Sequence, residues 1–134
     1  MSAVADRPRR GALIDLGTNS VRLMIVELAS DGGLTVLHQR KSQVALGQGS
    51  FEDDQLNVAA MERAFVALES MVATIGFHQV DYVRAVATSS LREATNRDEF
   101  LGMVYGRLKL DLKVISGLEE ARLIWTGVKA NLNL

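Results

Sequence analysis

The residues best suited to chemistry lie close together near the N-terminus, within residues 13–26. Two runs rich in Leu, Ile, Val and Met enclose one carboxylate, one glycine and three consecutive polar residues: Asp15, Gly17, Thr18, Asn19 and Ser20. Hydroxyl and amide groups beside backbone N–H groups suit phosphate oxygens, and glycine allows a ligand to approach the backbone. A carboxylate that ends a buried strand can bind Mg²⁺, directly or through water. The stretch therefore predicts a site for phosphate and Mg²⁺ between two strands, with a simple polar hairpin turn as the alternative.

Arg22 follows this turn and is the nearest cation to it. Because side chains alternate along a strand, Arg22 shares a face with Ser20. A guanidinium in that position can bind phosphate through two parallel hydrogen bonds. A surface salt bridge is the alternative role for Arg22.

Composition limits the classes of protein that need to be considered. The chain has 134 residues, 48% of them hydrophobic, which is enough for one folded domain with a core. The net charge of −1 argues against a protein that coats nucleic acid, and no apolar run approaches the ~20 residues of a membrane helix. The absence of cysteine excludes a disulfide scaffold or a thiolate metal site and fits a reducing compartment. We therefore expect a cytoplasmic protein with no nucleic-acid and no membrane partner.

The elements that must position these residues follow the order β-β-β-α-β-α-β-α. Strands are predicted at 11–16, 20–29, 34–44, 82–87 and 112–115, and helices at 57–76, 96–110 and 116–129. Residues 1–10 are predicted to be a mobile N-terminus, residues 11–134 the folded domain, and residues 46–56 a flexible acidic loop. Antiparallel strands followed by helical crossovers predict an α/β fold: a five-stranded mixed sheet with helices on its faces, as in ribonuclease-H-like domains.

A second polar run, Thr88-Ser89-Ser90-Leu91-Arg92, directly follows the fourth strand. Ligands of α/β sheets bind at the carboxyl ends of the strands, so hydroxyls and an arginine at this position are typical of a binding edge. Helix capping by Ser90 and Glu93 explains part of the same pattern and is the alternative.

The last predicted helix begins with two adjacent carboxylates that lie on different faces. At 100° per residue, Glu119 shares the polar side with Arg122, whereas Glu120 falls in the middle of the apolar arc. Glu119 is therefore explained as a cap with a surface partner. A carboxylate on an inward-facing arc, in contrast, needs a partner, a water molecule or a function.

Three segments of the chain together resemble one known family. Residues 14–20, 87–94 and 115–124 are similar to motifs in the N-terminal domain of exopolyphosphatases and guanosine pentaphosphate phosphatases, the Ppx/GppA family of the actin, sugar kinase and Hsp70 (actin-like ATPase) superfamily. The first segment is shared with kinases, whereas the third, Ser116-Gly117-Leu118-Glu119-Glu120-Ala121-Arg122, is specific. The resemblance covers roughly residues 11–130.

The resemblance implies a role for each matching residue. Asp15 would bind Mg²⁺, Thr18, Asn19 and Ser20 would hold phosphate, Arg92 would bind the substrate's phosphate chain, and Glu120 would be the catalytic base. The implied reaction is hydrolysis of a terminal phosphoanhydride bond of inorganic polyphosphate or guanosine pentaphosphate, between which the sequence does not choose. A homodimer is implied for the full-length protein, although the residues themselves say nothing about oligomeric state.

The sequence also departs from this family. A second phosphate loop, of the Asp-Ile-Gly-Gly-Gly-Ser type, follows soon after the third segment in the family and does not occur in residues 1–134. We therefore expect an N-terminal domain that carries one wall of a two-domain cleft and is inactive alone. Two other functions stay open: half of a sugar or acetate kinase, and a non-catalytic module that binds polyphosphate or guanosine alarmones.

Overall fold

The structure is a computed structural model that describes residues 8–47, 55–88 and 90–132. The predicted loop at 46–56 and the predicted mobile N-terminus fall largely outside these residues. The elements in chain order are β1 Arg9–Leu16, β2 Ser20–Leu28, β3 Leu34–Gln43, α1 Val58–Phe77, β4 Tyr82–Ala87, α2 Ser90–Glu93, α3 Arg97–Leu108, β5 Leu112–Val114 and α4 Gly117–Leu132. The predicted order is confirmed except that a separate helical turn, α2, precedes α3.

The five strands form one mixed sheet in the order β3-β2-β1-β4-β5. The first three strands are antiparallel neighbours, as the tight turns between them predict. β4 and β5 run parallel to β1, because long helical connections return the chain to the same starting edge. The carboxyl ends of β1, β4 and β5 therefore meet at one edge of the sheet.

The hydrophobic core lies on one face of the sheet. Alternate residues of β1 and β2 are fully or almost fully buried there, against the apolar stripe of α1, as period-two alternation predicts. Asp15 and Arg22 belong to the opposite face, which is more open: Leu13 and Met24 beside them are 43% and 38% exposed. Asp15 and Arg22 therefore lie on the open face of the sheet.

The caps of the helices agree only partly with the sequence. Asn57 caps α1, a role that asparagine favours, and accepts hydrogen bonds from the backbone of Ala59 and Ala60 at 2.8 and 3.3 Å. Asn96 does not cap α3. Its side chain instead pairs with both backbone groups of Leu56, at 2.8 and 3.2 Å, and thereby ties down the chain before α1. A long-range pairing of this kind leaves no local signal in the sequence.

The strand β1 begins before the boundary expected from the sequence. Arg9 and Arg10 belong to it, so the prediction of a mobile segment through residue 10 is wrong at these two positions. Arg10 forms an ion pair with Glu27 at 2.9 Å and donates to the His78 carbonyl at 2.8 Å, which fixes the start of the strand.

Within the described residues, no helix combines the length and the apolarity that crossing a membrane requires.

Candidate active-site groove

A polar groove of about 340 Å³ opens at the edge where the parallel strands end. Its walls come from the β1–β2 turn, the end of β4 and the first turn of α4, and they are formed by Asp15, Gly17, Thr18, Asn19, Ser20, Arg22, Thr88 and Glu120. Seven of these eight residues are the candidates singled out in the sequence, drawn from its first and third motifs. The fold thus brings distant candidates into one place.

The turn between β1 and β2 is held by backbone hydrogen bonds. The Gly17 N–H donates to the Ser20 carbonyl at 2.9 Å and closes the turn. This N–H is therefore already occupied, so Gly17 lines the groove without offering a free backbone donor. Donors for an anion would come from Thr18, Asn19 and Ser20.

Residues 44–47, here called the strap, fix this turn from outside. Val44 and Ala45 both donate their N–H to the Asn19 carbonyl at 2.9 Å, and Gly47 donates to the Thr18 carbonyl at 3.1 Å. Ala45 has a φ of 47°, in the left-handed region that non-glycine residues rarely adopt. Backbone in such a conformation persists where surrounding contacts determine it, and the strap therefore holds the loop in one geometry.

Asp15 has an unusual electrostatic environment for a carboxylate. Burial raises the pKa of the Asp15 carboxyl, the facing Glu120 carboxylate raises it further, and only Arg22 lowers it. Among the described residues nothing hydrogen-bonds to the Asp15 Oδ1 atom, which is buried. Asp15 and Arg22 are cross-strand partners, so the cation is close without pairing with that oxygen. A buried oxygen without a partner is suited to receive a proton or a cation.

The two adjacent carboxylates of α4 separate as their helical positions predict. Glu119 turns outward and pairs with Arg122 at 2.8 Å, and its backbone N–H donates a capping hydrogen bond to the Ser116 hydroxyl oxygen at 3.1 Å. Glu120 lines the groove beside Asp15 and is partly buried. Glu120 is therefore positioned to act on a ligand of the groove, and Glu119 is not.

Arg92 lies at the same edge of the sheet but outside the lining of this groove. Its guanidinium donates to the Ile115 carbonyl at 2.9 Å and lies 3.7 Å from the Glu93 carboxylate. In this conformation Arg92 connects α2 to the segment that follows β5. Arg92 is therefore not part of the groove lining in this conformation, and a phosphate-binding role for Arg92 stays a prediction.

The remaining wall residue, Thr88, was part of the second polar motif but was not among the candidates. It is 3% exposed, and it is the only polar residue in the buried class within the described ranges. Its position immediately after the buried end of β4 is the signal that could have identified it.

The donor set of the groove fits Mg²⁺. Magnesium takes oxygen ligands and is commonly held by one or two carboxylates together with water and substrate phosphates. Asp15 and Glu120 provide two carboxylates, one with an unpaired buried oxygen. No cluster of three or more His, Cys, Asp or Glu residues occurs among the described residues, so a cage built only from protein is not found there.

The sequence matches the Ppx/GppA phosphatase family over residues 24–134. The chain belongs to this family. Two solved structures have the same architecture as this chain. The Ppx/GppA family member from Aquifex aeolicus is 32% identical, with a TM-score of 0.90 over 95% of this chain and 41% of its own. An exopolyphosphatase from Cytophaga hutchinsonii is also 32% identical, with a TM-score of 0.86 over 91% of this chain and 39% of its own.

This Ppx/GppA chain spans about two fifths of the length of those two structures. The family match begins at residue 24, after the β1–β2 turn, whereas the two structures align with 95% and 91% of the chain. The family assignment agrees with the resemblance seen in the sequence and supports phosphatase chemistry.

Proposed function

We propose that this chain forms one wall of the active site of a phosphoanhydride hydrolase, which releases terminal orthophosphate from inorganic polyphosphate or guanosine pentaphosphate. The observation that carries the proposal is the meeting of Asp15, Glu120 and the Thr18–Ser20 turn in one groove. Membership of the Ppx/GppA phosphatase family supports hydrolysis over transfer to a second substrate. The name of the Cytophaga hutchinsonii exopolyphosphatase supports polyphosphate as one of the two substrates.

Each part of the groove has a place in this reaction. Thr18, Asn19, Ser20 and Arg22 would donate hydrogen bonds to the oxygens of the terminal phosphate. Glu120 would accept a proton from a water molecule as the water oxygen bonds to the terminal phosphorus. The bond from that phosphorus to the bridging oxygen breaks, so that orthophosphate and a chain shorter by one phosphate leave. Mg²⁺ held at Asp15 would neutralise charge on the phosphate oxygens.

We further propose that full activity needs a second wall from outside these residues. The solved relatives are more than twice as long as the part that matches. Preorganised donors to a transition state are worth ~3 kcal/mol each, so a groove with donors on one side only should be a poor catalyst. Residues 1–134 alone should therefore release phosphate far more slowly than the full gene product. We also propose that the full-length protein forms a homodimer.

The test is phosphate release by the full gene product and by residues 1–134, in Mg²⁺ and in excess EDTA. Substrates are polyphosphate of defined length, guanosine pentaphosphate, and ATP with acetate or a sugar. Mg²⁺-dependent orthophosphate release from either of the first two supports the proposal. Product formation only with ATP and an acceptor would indicate a kinase, and tight polyphosphate binding without release would indicate a binding module. Equal turnover of the two proteins would contradict the need for a second wall.

A further inference from the structure

Thr88 combines deep burial with a polar group that the protein leaves unused. The residue is 3% exposed and lines the groove with Asp15 and Glu120. Within the described part of the chain, its hydroxyl has no protein hydrogen-bond partner. Among the described residues, the buried side-chain atoms without a partner are Asp15 Oδ1, His38 Nε2 and Arg40 Nε, so the Thr88 hydroxyl oxygen is instead open to the groove. A hydroxyl that the protein leaves unpaired and that opens into a groove can take its partner from a molecule bound there.

The backbone fixes Thr88 at one position in the wall. Its N–H donates to the Leu16 carbonyl at 3.0 Å and extends the β1–β4 ladder by one step, while its carbonyl accepts from Leu91 at 3.3 Å. Val86, two residues earlier, is the register partner of Asp15. Because side chains alternate along a strand, Thr88 and Asp15 start from the same face of the sheet. The hydroxyl and the carboxylate thus belong to one surface.

The Thr88 hydroxyl and Glu120 line the same groove. A hydroxyl is both a donor and an acceptor, so the lone pairs of the Thr88 oxygen can accept a hydrogen bond from a water molecule in the groove. Glu120, in the same groove, can accept the other proton of that water.

We propose that the Thr88 hydroxyl holds the attacking water against Glu120. This inference rests on the hydrolysis proposed above. Thr88 gains or loses no proton in the reaction. It accepts one hydrogen bond from the water, which leaves the lone pair of the water oxygen directed at the terminal phosphorus while Glu120 removes the second proton. The effect of Thr88 is therefore on the rate of the chemical step and not on the binding of the phosphate chain.

The test compares two substitutions of similar size in the full gene product. Thr88→Val keeps the shape and removes the hydroxyl, whereas Thr88→Ser keeps the hydroxyl and removes the methyl group. Thr88→Ala is a second hydroxyl-free variant, and thermal melts check that all three fold. We expect kcat for polyphosphate to fall about 10²-fold in Thr88→Val and Thr88→Ala, with KM changed less than about twofold, and kcat of Thr88→Ser to stay within about threefold of wild type.

Each other result would overturn the inference. A Thr88→Val enzyme as fast as Thr88→Ser would show that the hydroxyl has no role. A raised KM at unchanged kcat would make Thr88 a ligand of the substrate phosphate. A Thr88→Ser enzyme as slow as Thr88→Val would indicate packing by the methyl group. A wild-type protein that releases no phosphate would instead refute the proposed hydrolysis itself, and the role of Thr88 would be refuted with it.

Discussion

Asp15 and Glu120 line the same groove although one ends the first strand and the other begins the last helix. The Asp15 carboxyl is held at a raised pKa by its burial and then by Glu120, with Arg22 as the opposing influence. Ionised Asp15, with an unpaired buried oxygen and a second carboxylate in the same groove, therefore destabilises the fold. The pair therefore favours whatever neutralises it, which can be a proton or a divalent cation.

The first prediction concerns Asp15→Asn and follows from the sign of this shift. A carboxyl whose pKa is higher in the folded state than its ordinary value of 3.8 stabilises the fold below that value and loses this contribution as pH rises through the folded pKa. Asp15→Asn should therefore unfold like wild type near pH 3.5 and be more stable at pH 7. The gain should be on the order of 1 kcal/mol, because partial solvent access moderates the cost of the unpaired oxygen.

Urea unfolding of both proteins between pH 3.5 and 7 measures this difference. Mg²⁺ should raise the unfolding midpoint of wild type and leave that of Asp15→Asn unchanged, because the variant lacks the anionic ligand. A stability difference that does not depend on pH would contradict the assigned environment of Asp15.

The second prediction separates the two glutamates of α4. Glu120→Gln keeps the shape of the side chain and loses the proton acceptor, so kcat of the full gene product should fall by ~10²–10⁴-fold. Polyphosphate affinity should be largely kept, as measured by a separate binding titration. Glu119→Gln is the matched control. It removes one exposed ion pair with Arg122, worth about 0.5 kcal/mol, and should turn over like wild type. Wild-type turnover by Glu120→Gln, or an inactive Glu119→Gln, would show that the base is assigned to the wrong residue.

The third prediction concerns Arg92, whose observed contacts differ from its expected role. Its guanidinium donates to the Ile115 carbonyl, so Arg92→Met should lower the free energy of unfolding by about 1–2 kcal/mol in the absence of anions. Titrations of wild type and Arg92→Met with sulfate or phosphate then measure whether Arg92 also binds the anion. Unchanged stability together with lost anion binding would show that the guanidinium leaves Ile115 and reaches the groove in solution.

The sequence predicted those parts of the fold that depend on local pattern. Alternation in β2 placed Arg22 on the face opposite Leu23, and the 100° period separated Glu120 from Glu119; the structure shows both arrangements. The expectation that β1 is buried throughout was wrong, because Leu13 on its open face is 43% exposed. Long-range contacts could not be predicted in this way. The Asn96 side chain binds Leu56 instead of capping its own helix, and the guanidinium of Arg92 is taken up by a carbonyl beyond β5. Such pairings depend on where the chain returns, and single-sequence periodicity carries no information on that.

The sequence analysis also missed residues that support the groove without lining it, because their contacts are long-range. Arg63 lies on α1 and belongs to no motif, yet its Nε donates to the Val44 carbonyl at 2.9 Å and its terminal nitrogen donates to Ala45 at 3.3 Å. Those carbonyls belong to the strap, whose N–H groups hold Thr18 and Asn19. Arg63 thus supports the geometry of the Thr18–Ser20 turn through the strap and is not part of the groove lining.

The last prediction tests this support through Arg63→Met. The substitution keeps a long apolar stem similar to that of arginine and removes the guanidinium donors. Two strap carbonyls would lose their partner, and Ala45 would lose a contact that holds its left-handed backbone. The free energy of unfolding should fall by about 1–2 kcal/mol in urea titrations. Calorimetric affinity for tripolyphosphate should also fall severalfold, because the Thr18–Ser20 donors are less well ordered before binding. Glu69→Gln, an exposed change on the same helix, is the control and should stay within about 0.5 kcal/mol of wild type with unchanged affinity. If Arg63→Met lost stability but bound tripolyphosphate like wild type, the strap would support the fold and not the loop.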